Sequence, residues 1–208
     1  MDVVAKTHPV TPTDTAPRLP IARTVQRRFV LLLAIAVAGI GVVFGTWLIS
    51  GRAKPMTWSI VQASIDARFD QVAQIETAEL AAWLADSDRP RPLLIDVRTA
   101  AEFSVSHLPG AVHAERVEHI LPLIGPASAQ RPVVLYCSVG WRSAIVADAL
   151  RQVGSERVWN LRGSIFQWAN EGRALAGADE VSVDTVHPFD ERWGALLERE
   201  RWAPDSLP

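Results

Sequence analysis

Two kinds of apolar pattern alternate along the chain from position 58 onward. Short apolar runs at 93–97, interrupted near the end by Asp96, and at 133–136 predict strands that are buried on both faces. Between such runs, apolar residues recur at helical spacing, first at positions 58, 61, 65 and 69. Strands that alternate with short helices are typical of an α/β fold, with a mostly parallel sheet covered by helices on both faces. We therefore predict that fold class for this part of the chain.

The same patterns predict the remaining elements. Shorter apolar runs predict strands at 72–75 and 158–161. A helix that begins at an N-cap on Thr77 should end before the proline-containing loop 89–92. In chain order, the other predicted helices are 58–70, 99–105, 118–124, 143–153 and 165–171. In the helix at 143–153, the core face is predicted at positions 145, 146, 149, 150 and 153.

An uncharged apolar stretch occupies the 21 positions from 29 to 49. At about 1.5 Å per residue, a helix of this length crosses the roughly 30 Å hydrocarbon core of a bilayer. A cleaved signal peptide would have a shorter apolar region, about 7–15 residues, ending in a small-x-small site, and residues 50–53 form a poor one. We therefore predict a retained transmembrane helix. The segment 1–28 before it predicts a disordered tail, because few of its residues can enter a core.

The basic residues that flank this stretch predict its orientation. Two of them, Arg52 and Lys54, follow the stretch, whereas four arginines precede it closely, namely Arg18, Arg23, Arg27 and Arg28. An excess of basic residues favours the cytoplasmic side. The prediction is a single-pass protein of a bacterial inner membrane whose C-terminal domain lies on the periplasmic side, with the lipid bilayer as partner of residues 29–49.

Charge and cysteine content narrow the function. Residues 1–28 carry five basic and two acidic side chains, whereas residues 50–208 carry 16 basic and 21 acidic ones. The larger part is mildly acidic and has no basic stripe, so we exclude nucleic acid as a partner. One cysteine in 208 residues excludes an intramolecular disulfide framework.

That cysteine, Cys137, lies where the predicted strand 133–136 ends. A turn containing Gly140 follows, and then a helical pattern begins. The thiol thus faces the N-terminus of a helix, where free backbone N–H groups and the helix dipole stabilise a thiolate. Most free cysteines are small buried hydrophobes instead, and the strand–turn–helix context favours a reactive thiol over that alternative.

Three groups of residues occur here in a recognisable order. The first is 94–98 with Glu102–Phe103 and 107–111, the second is 136–144, and the third is 161–165 with Trp168 and Gly172. They resemble the first half, the active loop and the closing segment of a rhodanese domain. The resemblance covers residues 72–175, and the three motifs in this order make it specific.

The resemblance implies a function as well as a fold. Rhodanese domains move sulfane sulfur through a cysteine persulfide. By similarity, Cys137 attacks a sulfur donor, and a thiol or another nucleophile such as cyanide takes the outer sulfur. No cofactor and no metal are implied. The loop expected to bind the substrate or an anion comprises Ser138, Val139, Gly140, Trp141, Arg142 and Ser143. Its backbone N–H groups would form a nest, and Arg142 would add positive charge at the pocket mouth.

A cysteine phosphatase on a related scaffold is the nearest alternative enzyme. Such enzymes use Cys-x5-Arg, whereas four residues separate Cys137 from Arg142 here, which excludes the phosphate loop.

Two departures from the usual rhodanese loop bear on the substrate. Ser138 stands where a basic residue is common, and Trp141 places a large aromatic in the loop. Both argue against thiosulfate as donor. A third departure, Ser164 in place of a common glycine, predicts a minor structural change.

Several polar residues outside the loop are interpreted as structural support. We expect ion pairs and hydrogen bonds among Asp96, Arg98 and Glu102 to hold the loops in place. His107 resembles a structural position of the family. The spacing of His107, His113 and His119 fits no metal-binding pattern.

Two segments flank the predicted domain. Residues 50–71 predict a linker with an amphipathic helix, and residues 176–208 a C-terminal extension with a short helix. In the extension, an apolar helical stripe is expected to pack onto the domain, with docking to a partner or a membrane as the alternative; the stripe comprises Phe189, Trp193, Leu196 and Leu197.

The alternative to an enzyme is a non-catalytic binding or sulfur-sensing module at the membrane, which would have no need of the thiol.

Overall fold

Five short parallel strands organise the residues that this computed structural model describes, 56–125 and 131–204. Their order across the sheet is β1-β5-β4-β2-β3. The strands are β1 (Ala73–Ile75), β2 (Leu93–Asp96), β3 (Val112–His113), β4 (Val133–Tyr136) and β5 (Val158–Leu161). Every residue of β2 and β4 is buried, as their continuous apolar runs predict. The predicted α/β class with a parallel sheet is confirmed.

Helices cover both faces of this sheet. Helices α1 and α4 pack against α5, and α2 packs against α6. Among the described residues the α-helices are α1 (Trp58–Arg68), α2 (Thr77–Ala85), α3 (Ala100–Val105), α4 (Val117–Ile124), α5 (Trp141–Gln152), α6 (Ser164–Asn170) and α7 (Glu191–Gly194). A separate antiparallel pair joins β6 (Leu175–Ala176) to β7 (Ser182–Val183).

Two threonines show how local sequence sets the helix starts. Thr99 caps α3 through a capping box, because its side chain accepts from the Glu102 N–H while the Glu102 carboxylate accepts from the Thr99 N–H. The predicted cap on Thr77 is wrong. Glu76 is the N-cap of α2 without a side-chain bond, and the Thr77 hydroxyl donates instead to Glu171 at 2.7 Å.

The core face of α5 also differs from the prediction. The structure buries Ser143, Ala144, Ala147 and Leu150, whereas Ile145 is 48% exposed and Val153 is 59% exposed. Small side chains let a helix approach a sheet closely, and hydropathy alone does not register that preference. The helix also begins at Trp141, two residues before the predicted start, which brings Trp141 and Arg142 into its first turn.

The amphipathic helix predicted within residues 50–71 is present as α1, and it belongs to the core rather than to a linker. Val61 and Ile65 are each 3% exposed, and α1 packs against α5. Phe69 follows the helix, and its ring meets that of Trp141 edge-on, with 5.6 Å between centroids. The segment therefore supports the N-terminus of α5.

The predicted tail and transmembrane helix, residues 1–28 and 29–49, lie outside the described residues. Across 56–125 and 131–204, no helix has the length and apolar character needed to cross a bilayer. The anchor and its orientation stay predictions.

The C-terminal extension folds in short pieces, so the prediction of one helical stripe is wrong. Phe189 precedes α7, a helix of four residues, while Leu196 and Leu197 follow it and are buried. Packing onto the domain is confirmed. The Asn170 side chain donates to the Leu196 carbonyl and accepts from the Glu198 N–H, both at 2.9 Å.

An ion pair between Asp96 and Arg98 lies in the interior, with both side chains 0% exposed. Arg98 Nε donates to both carboxylate oxygens at 3.0 Å, and Nη2 donates to one of them at 2.7 Å and to the Ser106 carbonyl. Burial by itself would lower the pKa of Arg98, but the charge and hydrogen bonds of Asp96 raise it. Because Asp96 ends β2 and α3 begins four residues later, the pair fixes the path between them.

Asp96→Asn should therefore lower the free energy of unfolding by about 3–5 kcal/mol, because the Arg98 guanidinium would stay buried without a counter-charge. Urea unfolding of the purified full chain, followed by tryptophan fluorescence, measures the loss. As control, Arg116→Ala breaks a pair with Glu118 whose side chains are 66% and 60% exposed. We expect that change to stay below about 0.5 kcal/mol. Equal losses in the two variants would contradict a structural role for the buried pair.

Candidate active site

Strand β4 ends at Tyr136, and Cys137 follows it at the carboxyl edge of the sheet. Residues 137–142, here called the cysteine loop, turn the chain from β4 into α5. The turn needs Gly140, whose φ of +103° is strained for any residue with a side chain. Asn160, on β5, donates from Nδ2 to the Gly140 carbonyl at 3.1 Å. The neighbouring strand thus holds the loop from below.

Two hydrogen-bond donors of the loop region converge on the Cys137 sulfur. The Gly140 N–H donates to Sγ at 3.2 Å, and the Ser143 hydroxyl donates to Sγ at 3.6 Å. Cys137 is 1% exposed and precedes the N-terminus of α5, where the helix dipole is positive. These donors and the dipole lie where they can stabilise negative charge that develops on the sulfur.

The backbone of Cys137 is tied to the turn between β5 and α6. Its N–H donates to Ser164 Oγ at 3.2 Å, and its carbonyl accepts from the Ile165 N–H at 3.1 Å. The Ser164 hydroxyl donates in turn to the Leu161 carbonyl at 3.0 Å. Ser164 adopts a φ of +51°, in the region that favours glycine. The serine at position 164, predicted to be only a minor structural change from the usual glycine, therefore makes a direct hydrogen bond to the cysteine backbone.

Glu102 on α3 and Arg142 on α5 form the second support of the loop. The pair is bidentate, with Arg142 Nη1 and Nη2 donating to the two carboxylate oxygens at 2.9 and 2.7 Å. Ser138 joins them, since its hydroxyl donates to Glu102 at 3.2 Å and accepts from Arg142 Nη2 at 3.0 Å. The three side chains hold both ends of the cysteine loop.

Electrostatics follow from this geometry. Burial by itself would raise the pKa of Glu102, but the hydrogen bonds and charge of Arg142, with the bonds from Thr99, lower it to about 2. Burial would lower the pKa of Arg142, but Glu102 and the nearby charge of Cys137 raise it. The predicted positive charge of Arg142 at the pocket mouth is therefore present but balanced by Glu102.

A cavity of about 160 Å³ lies against the cysteine loop. Most of its wall is apolar, and two of its aromatic residues come from the C-terminal extension. Its lining consists of Cys137, Ser138, Val139, Trp141, Arg142, Phe189 and Trp193. The arrangement joins a nucleophilic sulfur, two donors and a small apolar pocket, which suits attack on a sulfur compound of similar size.

Sequence comparisons agree with this geometry. Residues 76–171 match the model of the rhodanese-like domain. A sulfurtransferase from Allochromatium vinosum is 37% identical over 109 residues, which are 52% of this chain and 98% of that protein. The chain belongs to the rhodanese-like family. The resemblance predicted from the three motifs is thereby confirmed.

Two further proteins are similar to part of this chain. The tRNA uridine(34) hydroxylase of Escherichia coli is 28% identical over 131 residues, which are 61% of this chain but only 36% of that protein. A rhodanese-like domain protein from Staphylococcus aureus, solved by crystallography, is 25% identical and covers 52% of this chain and 100% of its own, with a TM-score of 0.44.

The predicted support residues of this rhodanese-like domain fall into separate places. Asp96 and Arg98 pair beneath the sheet edge, whereas Glu102 binds the cysteine loop. His107 joins the domain to the extension, because its Nδ1 lies 3.1 Å from the Phe103 carbonyl and its Nε2 lies 3.3 Å from Glu180. Within 56–125 and 131–204, no three His, Cys, Asp or Glu side chains form a metal-binding group.

Sequence reasoning missed four residues of the site. Asn160 and Ser164 bond to the cysteine loop, and Phe189 and Trp193 line its pocket. An asparagine inside the otherwise apolar strand 158–161 was a usable signal, because a buried amide needs a partner. The aromatic spacing of the extension is visible in the sequence, but hydropathy does not show which surface these side chains will contact.

The Glu102–Arg142 pair predicts a pH dependence of stability. The pKa of Glu102 falls from 4.5 to about 2 on folding, so the stabilisation is complete above about pH 4.5 and is lost as the pH drops toward 2. Glu102→Gln should lower the free energy of unfolding at pH 7 by about 2 kcal/mol and flatten its slope between pH 5 and 2.5. Urea titrations at a series of pH values measure both effects.

The matched control is Glu118→Gln, which alters a carboxylate that is 60% exposed. We expect that variant to keep the slope and the stability of the unmodified chain within about 0.5 kcal/mol. A Glu102→Gln slope identical to that of the control would show that the pair does not support the fold.

Proposed function

We propose that the protein is a membrane-anchored sulfurtransferase that moves sulfane sulfur through a persulfide on Cys137 to a thiol or another nucleophile. One observation carries this proposal: the Cys137 sulfur accepts a hydrogen bond from the Gly140 N–H at 3.2 Å, and Cys137 lines the pocket beside the cysteine loop. The relationship to a sulfurtransferase supports the same reaction class.

The first half of the proposed reaction loads the cysteine. The Cys137 thiolate attacks the outer sulfur of a donor R–S–SH. The donor S–S bond breaks, its electron pair leaves with R–S⁻, and Cys137 becomes Cys–S–SH. Gly140 and Ser143 hold the thiolate in place by hydrogen bonds before this attack.

The second half unloads it. An acceptor thiolate attacks the outer sulfur, the bond to Sγ breaks, and the electron pair returns to Sγ. The proton stays on the transferred sulfur, so the products are R′–S–SH and the Cys137 thiolate. The Gly140 N–H then faces the developing negative charge on Sγ, which is the place where a preorganised donor lowers a barrier.

A mass measurement tests this chemistry. Incubating the purified full chain with an organic persulfide or a polysulfide, then removing excess donor, should add about 32 Da, the mass of one sulfur, to the intact protein. Adding cyanide or a thiol should remove that mass, because either nucleophile takes the outer sulfur. Cys137→Ser should show no adduct.

Arg116→Ala is the matched control. It keeps Cys137 and removes an exposed charge that pairs with Glu118 and has no part in the proposed reaction. We expect it to load and unload like the unmodified chain. If no donor loads the unmodified chain, the sulfurtransferase proposal is wrong, and the alternative of a non-catalytic binding or sensing module takes its place.

The second element of the proposal is location. We place residues 29–49 across a bacterial inner membrane, with the rhodanese-like domain on the periplasmic side. The support is the uncharged length of 21 residues and the four arginines that precede it.

Expression of the full chain in bacteria tests the anchor. The protein should sediment with membranes, resist extraction by alkaline carbonate and dissolve in detergent, because an apolar helix is held by the hydrocarbon core. A chain lacking residues 1–54 should lose that association. Alkaline phosphatase fused to the C-terminus should be active, since it needs the periplasm. A carbonate-extractable full chain would contradict the anchor, and an inactive fusion would contradict the orientation.

A further inference from the structure

We propose that the pocket selects sulfur acceptors that carry an uncharged aromatic or branched aliphatic body, and that Phe189 and Trp193 form the wall that recognises this body. The inference rests on the proposed sulfur transfer and adds the chemical class of the acceptor. It assigns a binding role to the C-terminal extension, which lies outside the matched domain of residues 76–171.

Size and lining point to a small apolar ligand. The cavity measures about 160 Å³, and Trp141, Phe189 and Trp193 contribute three aromatic side chains to its lining. An apolar cavity of about 150 Å³ in another protein accommodates benzene, so one ring fits a space of this size. Aromatic walls bind such a ring by apolar contact and edge-to-face packing.

Charge in the pocket does not favour an anionic acceptor. Arg142 is the cation of the lining, and both its η-nitrogens donate to Glu102. The guanidinium also lies over the Phe189 ring, with Cζ 5.0 Å from the ring centroid. An anion would have to compete with a bidentate carboxylate, whereas an uncharged body meets no such cost.

The backbone at Phe189 carries a second, independent sign of function. Its φ is +70°, a conformation that is rare for an aromatic residue. Strain of this kind persists only where the surroundings impose it, and it is concentrated at binding and active sites. Here it places the Phe189 ring at the pocket beside Arg142, although the side chain is 43% exposed.

Other contacts fix the segment that carries the wall. Asp190 accepts from the Trp193 N–H at 2.7 Å and starts α7. The Ala203 N–H donates to the Val186 carbonyl at 3.0 Å, and Trp202 packs so closely on Gly194 that a Cβ there would lie 2.5 Å from the indole. The wall is therefore preformed, which reduces the entropy lost on binding.

Two alkyl thiols of similar sulfur basicity test the acceptor class. The full chain, loaded with sulfur on Cys137, is mixed with phenylmethanethiol or with 2-sulfanylethanesulfonate, and the loss of the added mass is followed in time. We expect the uncharged aromatic thiol to react at least about tenfold faster than the sulfonate, because only its body fits the apolar wall.

Variants locate the preference. Phe189→Gly removes the ring and relieves the positive φ, which offsets part of the chain entropy and apolar contact that the substitution costs, so the variant should still fold. We expect it to lower the ratio of the two rates about fivefold or more, and Phe189→Leu, which keeps an apolar side chain, to retain most of the ratio. Val181→Ala, an exposed apolar residue of the same extension outside the lining, should leave the ratio unchanged.

The outcomes separate the two proposals. A chain that never gains the sulfur mass refutes the sulfurtransferase function itself. A chain that loads and unloads, yet treats the two thiols alike, refutes only the acceptor class. A strong preference that survives Phe189→Gly and Trp193→Ala refutes the assignment of the wall.

Discussion

The ion pair between Glu102 and Arg142 is the interaction on which the candidate site depends, because it joins two helices across 40 residues of sequence. Glu102 is oriented by its capping box with Thr99, and Arg142 lies in the first turn of α5. Ser138 bonds to both partners. The cysteine loop is therefore fixed after Cys137 and again at the start of the helix. A loop fixed at both ends keeps the sulfur beneath the Gly140 N–H, where a bidentate pair resists displacement better than a single bond.

Negative charge on the sulfur is stabilised by groups that lie close to it. The Gly140 N–H and the Ser143 hydroxyl donate to Sγ, the dipole of α5 adds to them, and the charge of the nearby Arg142 guanidinium also acts on the sulfur. The nearest cation is already matched by a carboxylate. Short-range donors act on the sulfur and fall off within a few ångströms, whereas a net charge would also attract anions from solution. The reactive atom is thus supported while the pocket above it stays apolar.

Much of the fold was predictable, because strands such as Val133–Tyr136 are apolar without interruption and their alternation with helices dictates a parallel sheet. The position of Cys137 followed from the same rule, since parallel strands bring their carboxyl ends to one edge. The face of α5 was not predictable from hydropathy, because the loop and Gly140 set the phase of that helix and small residues face the sheet. The place of Phe189 in the pocket was not predictable for another reason. Its place depends on a positive φ, which no pattern of apolar and polar residues encodes.

Strain and preorganisation meet at this site. Four described residues other than glycine have positive φ, and two of them, Ser164 and Phe189, lie at the cysteine loop and its pocket. Ser164 holds the Cys137 backbone from below, and Phe189 walls the pocket from outside. Each such conformation costs about 1–3 kcal/mol and needs a surrounding structure that over-determines it. A flexible loop would relax these strained conformations, and the pocket would then lose its shape. The packed core beneath the cysteine loop and the anchored extension above it are therefore what permit a small, rigid, apolar pocket to form over a nucleophilic sulfur.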